Sequence, residues 1–280
     1  MPQAALGPHV QEALIDIVRR AGEAILEIYQ SDFAVTAKDD DSPLTQADLA
    51  AHRIIVAGLE ALEPRLPIIS EESRPPPFSE RAAWPRYWLV DPLDGTKEFV
   101  SRNGEFTVNI ALIEGHEAVA GVVGVPAQNR VFVGDVVAGT AFQVGPEGTE
   151  PLRGRPMADD RELVVVASRS HGGARLERYL EDMGRVWSRV SRTPVGSSLK
   201  LCILAEGRAD LYPRLGPTSE WDIGAAHAVL RAAGGDLWAA DGSPLQYNRK
   251  EAFLNPEFIA AADGRYPWRD RLPVVPEVEG

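Results

Sequence analysis

Asp91-Pro92-Leu93-Asp94-Gly95-Thr96-Lys97-Glu98-Phe99 sets two carboxylates three positions apart across a proline, followed by a glycine, a hydroxyl and a cation. The residues before it, Tyr87-Trp88-Leu89-Val90, are apolar and read as a buried strand. Gly95 marks a sharp turn after it. Two acids therefore stand at the carboxyl end of a strand, where α/β-type enzymes keep their sites. Close carboxylates repel unless something neutralises them. A hard divalent cation such as Mg²⁺, which prefers carboxylate and carbonyl oxygens, is the economical answer. Taken alone, the pair reads equally well as an Asx-type turn.

The rest of the chain bounds what such a site can serve. Its 280 residues suffice for one large or two modest domains, and 44% hydrophobic with 25% charged residues is ordinary globular composition. The net charge is −12, from 29 basic and 41 acidic residues, which argues against long nucleic acids as partners. A small phosphorylated substrate stays compatible with it, because carboxylates that hold cations present a positive face. No apolar run reaches membrane-spanning length, and Met1-Pro2-Gln3-Ala4 lacks a signal-peptide pattern. A single cysteine, Cys202, sits in an apolar helical pattern and reads as a buried thiol. The cytoplasm is the expected compartment, and loose association with a membrane surface is compatible with the sequence.

Hydrophobic periodicity predicts helices over 8–30 and 44–62, the second opening on a capping-box-like Thr45…Asp48. A short strand at 66–70 runs into Glu71-Glu72. After the Asp91 motif, strands at 106–113, 118–125, 131–136 and 140–144 form an antiparallel meander. Residues 145–162, rich in Gly, Pro and charge, mark the expected boundary. Beyond it strands at 163–167, 186–190, 209–212 and 235–239 alternate with helices at 173–183, 197–206 and 221–233. The predicted class is mixed α+β and α/β. Residues 1–155 form an N-terminal antiparallel-sheet half, 156–265 a smaller C-terminal α/β half and 266–280 a peripheral tail.

Five acids stand at the edges of apolar elements: Asp48, Glu71, Asp91, Asp94 and Asp222. Singly, Asp222 reads as a helix-start acid and Glu71 as a solvated one; their combination is what suggests a site. Other chemistries find little support. The five histidines lack zinc-like spacing, and Gly-x-Ser-x-Gly elbows and Gly-rich phosphate loops are absent from the sequence.

Four motifs together resemble the inositol monophosphatase-like superfamily of metal-dependent phosphatases. They are Pro43-Leu44-Thr45-Gln46-Ala47-Asp48, Ser70-Glu71-Glu72-Ser73, the Asp91–Phe99 stretch, and Trp221-Asp222 with its alanine-rich helix and Gly234-Gly235. The resemblance spans about residues 10 to 260 and implies a layered αβαβα sugar-phosphatase fold. Within the superfamily the chain most resembles bacterial 3'(2'),5'-bisphosphate nucleotidases. Lys97-Glu98, Ser168-Arg169-Ser170-His171, Gly196-Ser197-Ser198-Leu199-Lys200 and Leu211-Tyr212-Pro213-Arg214 carry that narrower likeness.

The resemblance implies hydrolysis of adenosine 3',5'-bisphosphate to AMP and phosphate, a step that clears a by-product of sulfate assimilation in such bacteria. It also implies sensitivity to Li⁺. The sequence leaves monomer and homodimer both open. It assigns Glu71, Asp91, Asp94, Asp222 and the Leu93 carbonyl to two or three Mg²⁺ ions, and Asp48 with Thr96 to activation of the attacking water. Gly95, Thr96 and Lys97 would meet the reacting phosphate. His171, Ser197, Lys200 and Arg214 would meet the far end of the nucleotide. Plainer readings stand beside these. Thr96 can be a simple N-cap, Lys97 a solvated lysine, Lys200 an exposed helix residue, Arg214 a surface ion pair and His171 a turn residue. An inositol or other sugar phosphatase, and a non-catalytic regulator on the same scaffold, are the alternative functions.

Overall fold

A computed structural model describes residues 4–31, 43–168 and 173–277, with side chains in the second helix from Thr45 onward. Lys38, the acidic run Asp39-Asp40-Asp41 and His171 lie outside the described residues.

The helices are α1 (Pro8–Tyr29), α2 (Pro43–Glu60), α3 (Phe78–Arg81), α4 (Thr96–Val100), α5 (Gly173–Met183), α6 (Leu199–Ala205), α7 (Glu220–Ala232) and α8 (Trp268–Arg271). A seven-stranded sheet runs in chain order through β1 (Ile68–Ser70), β2 (Arg86–Asp94), β3 (Thr107–Glu114), β4 (Glu117–Val125), β5 (Arg130–Asp135), β6 (Thr140–Gly145) and β7 (Gly148–Pro151). β1 joins β2 in parallel, and every later pair is antiparallel, so the meander is as expected. A five-stranded sheet holds β8 (Leu163–Ser168), β9 (Val190–Val195), β10 (Leu211–Arg214), β11 (Asp236–Ala239) and β12 (Phe258–Ala261) in the order β11-β12-β10-β8-β9.

Side-chain alternation along β2 explains the layering. Trp88 and Val90 join α1 and α2 in one core, which includes Leu14, Ile17, Val18, Ala21 and Ile25 at helical spacing. Tyr87 and Leu89 point the other way, into a core shared with α6, α7 and the facing side of the second sheet. The far side of the second sheet packs on Tyr179 and Met183 of α5 and on Trp187 and Trp268. The result is the five-layer αβαβα order. Gly121 lets α7 approach the first sheet; a Cβ there would lie 2.1 Å from the Ala225 carbonyl oxygen.

Several local expectations are corrected. The strand expected at 186–190 is instead β9 at Val190–Val195. It is a sheet edge, largely polar and carrying Pro194, which an edge tolerates and an interior strand does not. The chain before it buries Trp187 against Trp268, ring centroids 6.0 Å apart. The segment read only as a boundary contains β7. The strand near 235–239 is not the last, because β12 inserts between β11 and β10. The tail is not wholly peripheral, since Trp268 is buried. Finally, α2 starts at Pro43, ahead of Thr45, a proline being well suited to a first helical turn. Among the described residues no helix is long and apolar enough to cross a membrane.

Candidate active site

The decisive local event is a bulge at the end of β2. Asp91 pairs with Asn109 and Asp94 with Thr107, so three steps along β2 oppose two along β3. Pro92 cannot donate to the ladder, and a bulge is where a strand tolerates it. In a regular strand, residues three apart face opposite sides. The extra residue brings Asp91 and Asp94 back to one side.

Glu71 follows β1 directly, and its N–H continues the parallel ladder by donating to the Val90 carbonyl at 3.1 Å. His52 of α2 bonds through Nδ1 to the Ser70 hydroxyl at 2.9 Å, tying the end of β1 to the helix that carries Asp48. Asp222 is the third residue of α7, in a capping box with Ser219. The loop beyond β11 holds that helix start: Asn248 N–H donates to Glu220 Oε2 at 2.8 Å, and Asn255 Nδ2 to the Ser219 carbonyl at 2.7 Å.

One carboxylate oxygen each from Glu71, Asp91 and Asp222 lie within 4.8 Å of one another. Three of the acids commit one oxygen to the backbone. Leu93 N–H donates to Asp91 Oδ1 at 3.0 Å, Ser198 N–H to Asp94 Oδ2 at 2.5 Å, and Ser219 N–H to Asp222 Oδ2 at 2.9 Å. The second oxygen of each can serve a cation, and ligating carboxylates are commonly fixed in this way. The Asx turn at Asp91 is thus real, and it leaves the second carboxylate oxygen able to serve a cation.

The electrostatics fit a cation as well. Burial, then Glu71, Asp94, Asp222 and Asp48, push the Asp91 carboxyl well above the usual carboxylate range. Burial and Asp222 push Asp94 up to about 7, against the opposing pull of Lys200 and the Ser198 N–H. Burial, assisted by Glu71, pushes Asp222 up to about 6. Hard oxygen donors that resist ionising together are what a divalent cation relieves.

These acids line a cavity of about 280 Å³ whose wall also includes Leu93, Gly95, Thr96, Lys97, Ser197, Lys200 and Arg214. Every expected site residue among those described is in this lining except Asp48. Asp48 stands behind it on α2, close enough to act on Asp91, and α2 packs on α4, whose first residue is Thr96. Lys200 is no exposed helix residue. It is buried, its Nζ donates to the Ser197 carbonyl at 2.6 Å, and burial lowers its pKa to about 8 against the pull of Asp94. Arg214 Nη2 donates to the Pro217 carbonyl at 2.7 Å. Cys202 is buried, and burial raises its thiol pKa, as a core residue requires. The sequence reading did not single out Glu98 or Thr218, which also line the cavity, or Ser168, Ser198 and Tyr212 as individual site residues.

Gly95 takes φ 97° and ψ 50° at the start of α4, and a Cβ there would meet Phe106 Cα and Ser197 Cβ at 3.2 Å each. Gly95→Ala is expected to cost about 1–2 kcal/mol in left-handed strain alone. It should also lower turnover by displacing Thr96. Chemical denaturation and steady-state kinetics check this; a variant with wild-type stability and turnover would contradict it.

The inositol monophosphatase family model matches residues 8–269. The chain is 46% identical over 249 residues to the 3'(2'),5'-bisphosphate nucleotidase CysQ of Escherichia coli K12, covering 88% of this chain and 97% of that protein. The crystal structure of CysQ from Bacteroides thetaiotaomicron, a bacterial member of the inositol monophosphatase family, is similar with a TM-score of 0.82. Its identity is 41%, over 91% of this chain and 97% of that one. An inositol monophosphatase from Zymomonas mobilis shares the fold, with a TM-score of 0.72 at 22% identity over 92% of this chain and 95% of that one.

Proposed function

The chain belongs to the inositol monophosphatase family, and from that premise we propose that it is a Mg²⁺-dependent 3'(2'),5'-bisphosphate nucleotidase. Its reaction is removal of the 3'-phosphate of adenosine 3',5'-bisphosphate to give AMP and phosphate. The observation that carries the reading is a cavity lined by both signs of charge: the cluster of Glu71, Asp91 and Asp222 and the bases Lys97, Lys200 and Arg214 line the same space. A substrate with two anionic groups suits that arrangement, one group at the acids through cations and one at the bases. The nucleotidases matched at 46% identity support the same substrate class.

Glu71, Asp91, Asp94, Asp222 and the Leu93 carbonyl would hold two or three Mg²⁺ ions. Bound Mg²⁺ supplies charge neutralisation at the phosphoryl oxygens and lowers the pKa of water. The protein's own groups do the rest. Asp48 would accept a hydrogen bond from the Thr96 hydroxyl, which in turn would orient the attacking water and relay its proton to Asp48, so a weak base suffices. Gly95 and Thr96 offer backbone N–H groups to phosphate oxygens at the start of α4, with Lys97 beside them. Ser197, Lys200 and Arg214, which line the cavity, would meet the second phosphate. Direct attack of water needs no covalent phosphoenzyme.

The test is phosphate release from adenosine 3',5'-bisphosphate and from inositol 1-phosphate, each with Mg²⁺ and with chelator. Mg²⁺-dependent preference for the nucleotide is the expected result. Preference for the inositol phosphate would keep the metal site and void the substrate. Release unaffected by chelator would void the metal site.

A further inference from the structure

Beneath Asp94, three buried polar side chains close a ring. Thr107 and Asn109, two apart on β3, are fully buried, and Ser198, just before α6, is 4% exposed. Ser198 Oγ donates to Asn109 Oδ1 at 2.7 Å, Asn109 Nδ2 donates to Thr107 Oγ1 at 3.2 Å, and the two hydroxyl oxygens are 2.8 Å apart. A hydroxyl carries one proton. With the Ser198 proton given to Asn109, the Thr107 proton must go to Ser198. Each group then gives one bond and receives one. Turning the Asn109 amide over reverses the direction of all three bonds and leaves the ring closed.

A closed ring of buried hydrogen bonds restrains its members, and this one is joined to the acidic site. Ser198 supplies the N–H that donates to Asp94 Oδ2 at 2.5 Å. Thr107 is the β3 residue in register with Asp94, and Asn109 the one in register with Asp91. The neighbouring loop is fastened to the approach to β3 too. Gly196 N–H donates to Glu105 Oε2 at 2.7 Å, and Ser197 Oγ to the Glu105 carbonyl at 2.5 Å. Ser197 is held at φ 46°, a conformation a serine rarely takes unless its surroundings impose it.

We infer that Thr107, Asn109 and Ser198 are positioning residues whose hydrogen-bonded ring holds the Ser198 N–H against Asp94, fixing that carboxylate for a cation. The same ring ties the loop bearing Ser197, and with it the start of α6 that carries Lys200, to Asp94, so these residues keep one spacing in the cavity. The inference deepens the metal-phosphatase reading and rests on it.

Thr107→Val and Thr107→Ser separate positioning from bulk. Valine keeps the shape and strand preference of threonine but breaks the ring; serine keeps the hydroxyl. Mg²⁺ binding, followed by titration calorimetry without substrate, is expected to weaken up to about 10-fold in Thr107→Val, the low end of the penalty for disturbing a ligand's outer support, because the Ser198 N–H that bonds Asp94 is kept but no longer held in place. Thr107→Ser should restore wild-type affinity. A Thr107→Val protein that melts lower yet binds Mg²⁺ as wild type does would make the ring merely structural and overturn the inference. If Thr107→Val fails to fold, Ser198→Ala, which keeps the N–H and loses the hydroxyl, is expected to show the same weakening; unchanged affinity there overturns the inference equally. A wild-type protein that binds no Mg²⁺ overturns the metal reading itself, so the wild-type titration tells the two failures apart.

Discussion

Asp91→Asn is expected to lower kcat/KM by at least about 10³-fold and, in chelator, to raise the melting temperature of the protein. The two effects have one cause. Asp91 is 1% exposed, and burial together with Glu71, Asp94, Asp222 and Asp48 resists its ionisation. A carboxyl whose folded-state pKa is raised costs native stability at every pH above its unfolded value. Asparagine removes that cost and keeps an oxygen to accept the Leu93 N–H. What it loses is the negative charge at the centre of the acidic cluster. A bound cation contributes several kcal/mol of transition-state charge stabilisation, and each step of about 1.4 kcal/mol is tenfold in rate. Steady-state kinetics with Mg²⁺ and thermal melts in chelator check the pair of effects. Retained turnover would take Asp91 out of the cation-holding set. A lower melting temperature in chelator would mean that the carboxylate repulsion is not stored in the folded state.

That trade explains why the acids were readable from the sequence. Glu71 directly follows apolar β1, Asp91 stands within the apolar run of β2, where a buried carboxylate needs a reason, and Asp222 opens an apolar helix. Apolar periodicity located β2 and α7, and those elements deliver the acids to one cavity. The positioning ring was harder to see. Thr107 and Asn109 look like ordinary strand residues, and their partner Ser198 is 91 positions from Thr107 in the chain. The one available signal was two polar residues on the same face of the otherwise apolar β3, a face the fold buries completely. β9 and β12 escaped for opposite reasons. The first is a polar edge without alternation, and the second is a four-residue apolar run with nothing around it to set a period. Trp268 stands alone among charged and Pro-rich neighbours, so only tertiary contact reveals that it is core.

Mg²⁺ is expected to raise the melting temperature more at about pH 7.5 than at about pH 5.5. Without a cation, the raised pKa values of Asp94, about 7, and Asp222, about 6, make the folded state bind more protons than the unfolded chain from the unfolded value of 3.8 upward. Stability from these two groups is therefore fully present below pH 3.8 and is lost as pH rises through about 6 and 7. Cation binding needs the ionised forms. At the lower pH, protons compete for both carboxylates; at the higher pH they have left, and the unrelieved repulsion is largest. His227 works in the opposite direction. Burial holds its pKa down to about 3, so the unfolded chain gains a proton as pH falls through 6.5 while the folded state resists. Its contribution is present above 6.5 and is lost on acidification towards about 3. It lies on α7 well past Asp222 and bonds to the Tyr247 hydroxyl, so its contribution is the same with and without Mg²⁺. The melting-temperature increment produced by Mg²⁺ cancels it and isolates the carboxylates. An increment equal at both pH values, or larger at the lower one, would mean that these acids do not bind the ion, and the metal reading would have to be rebuilt on other residues.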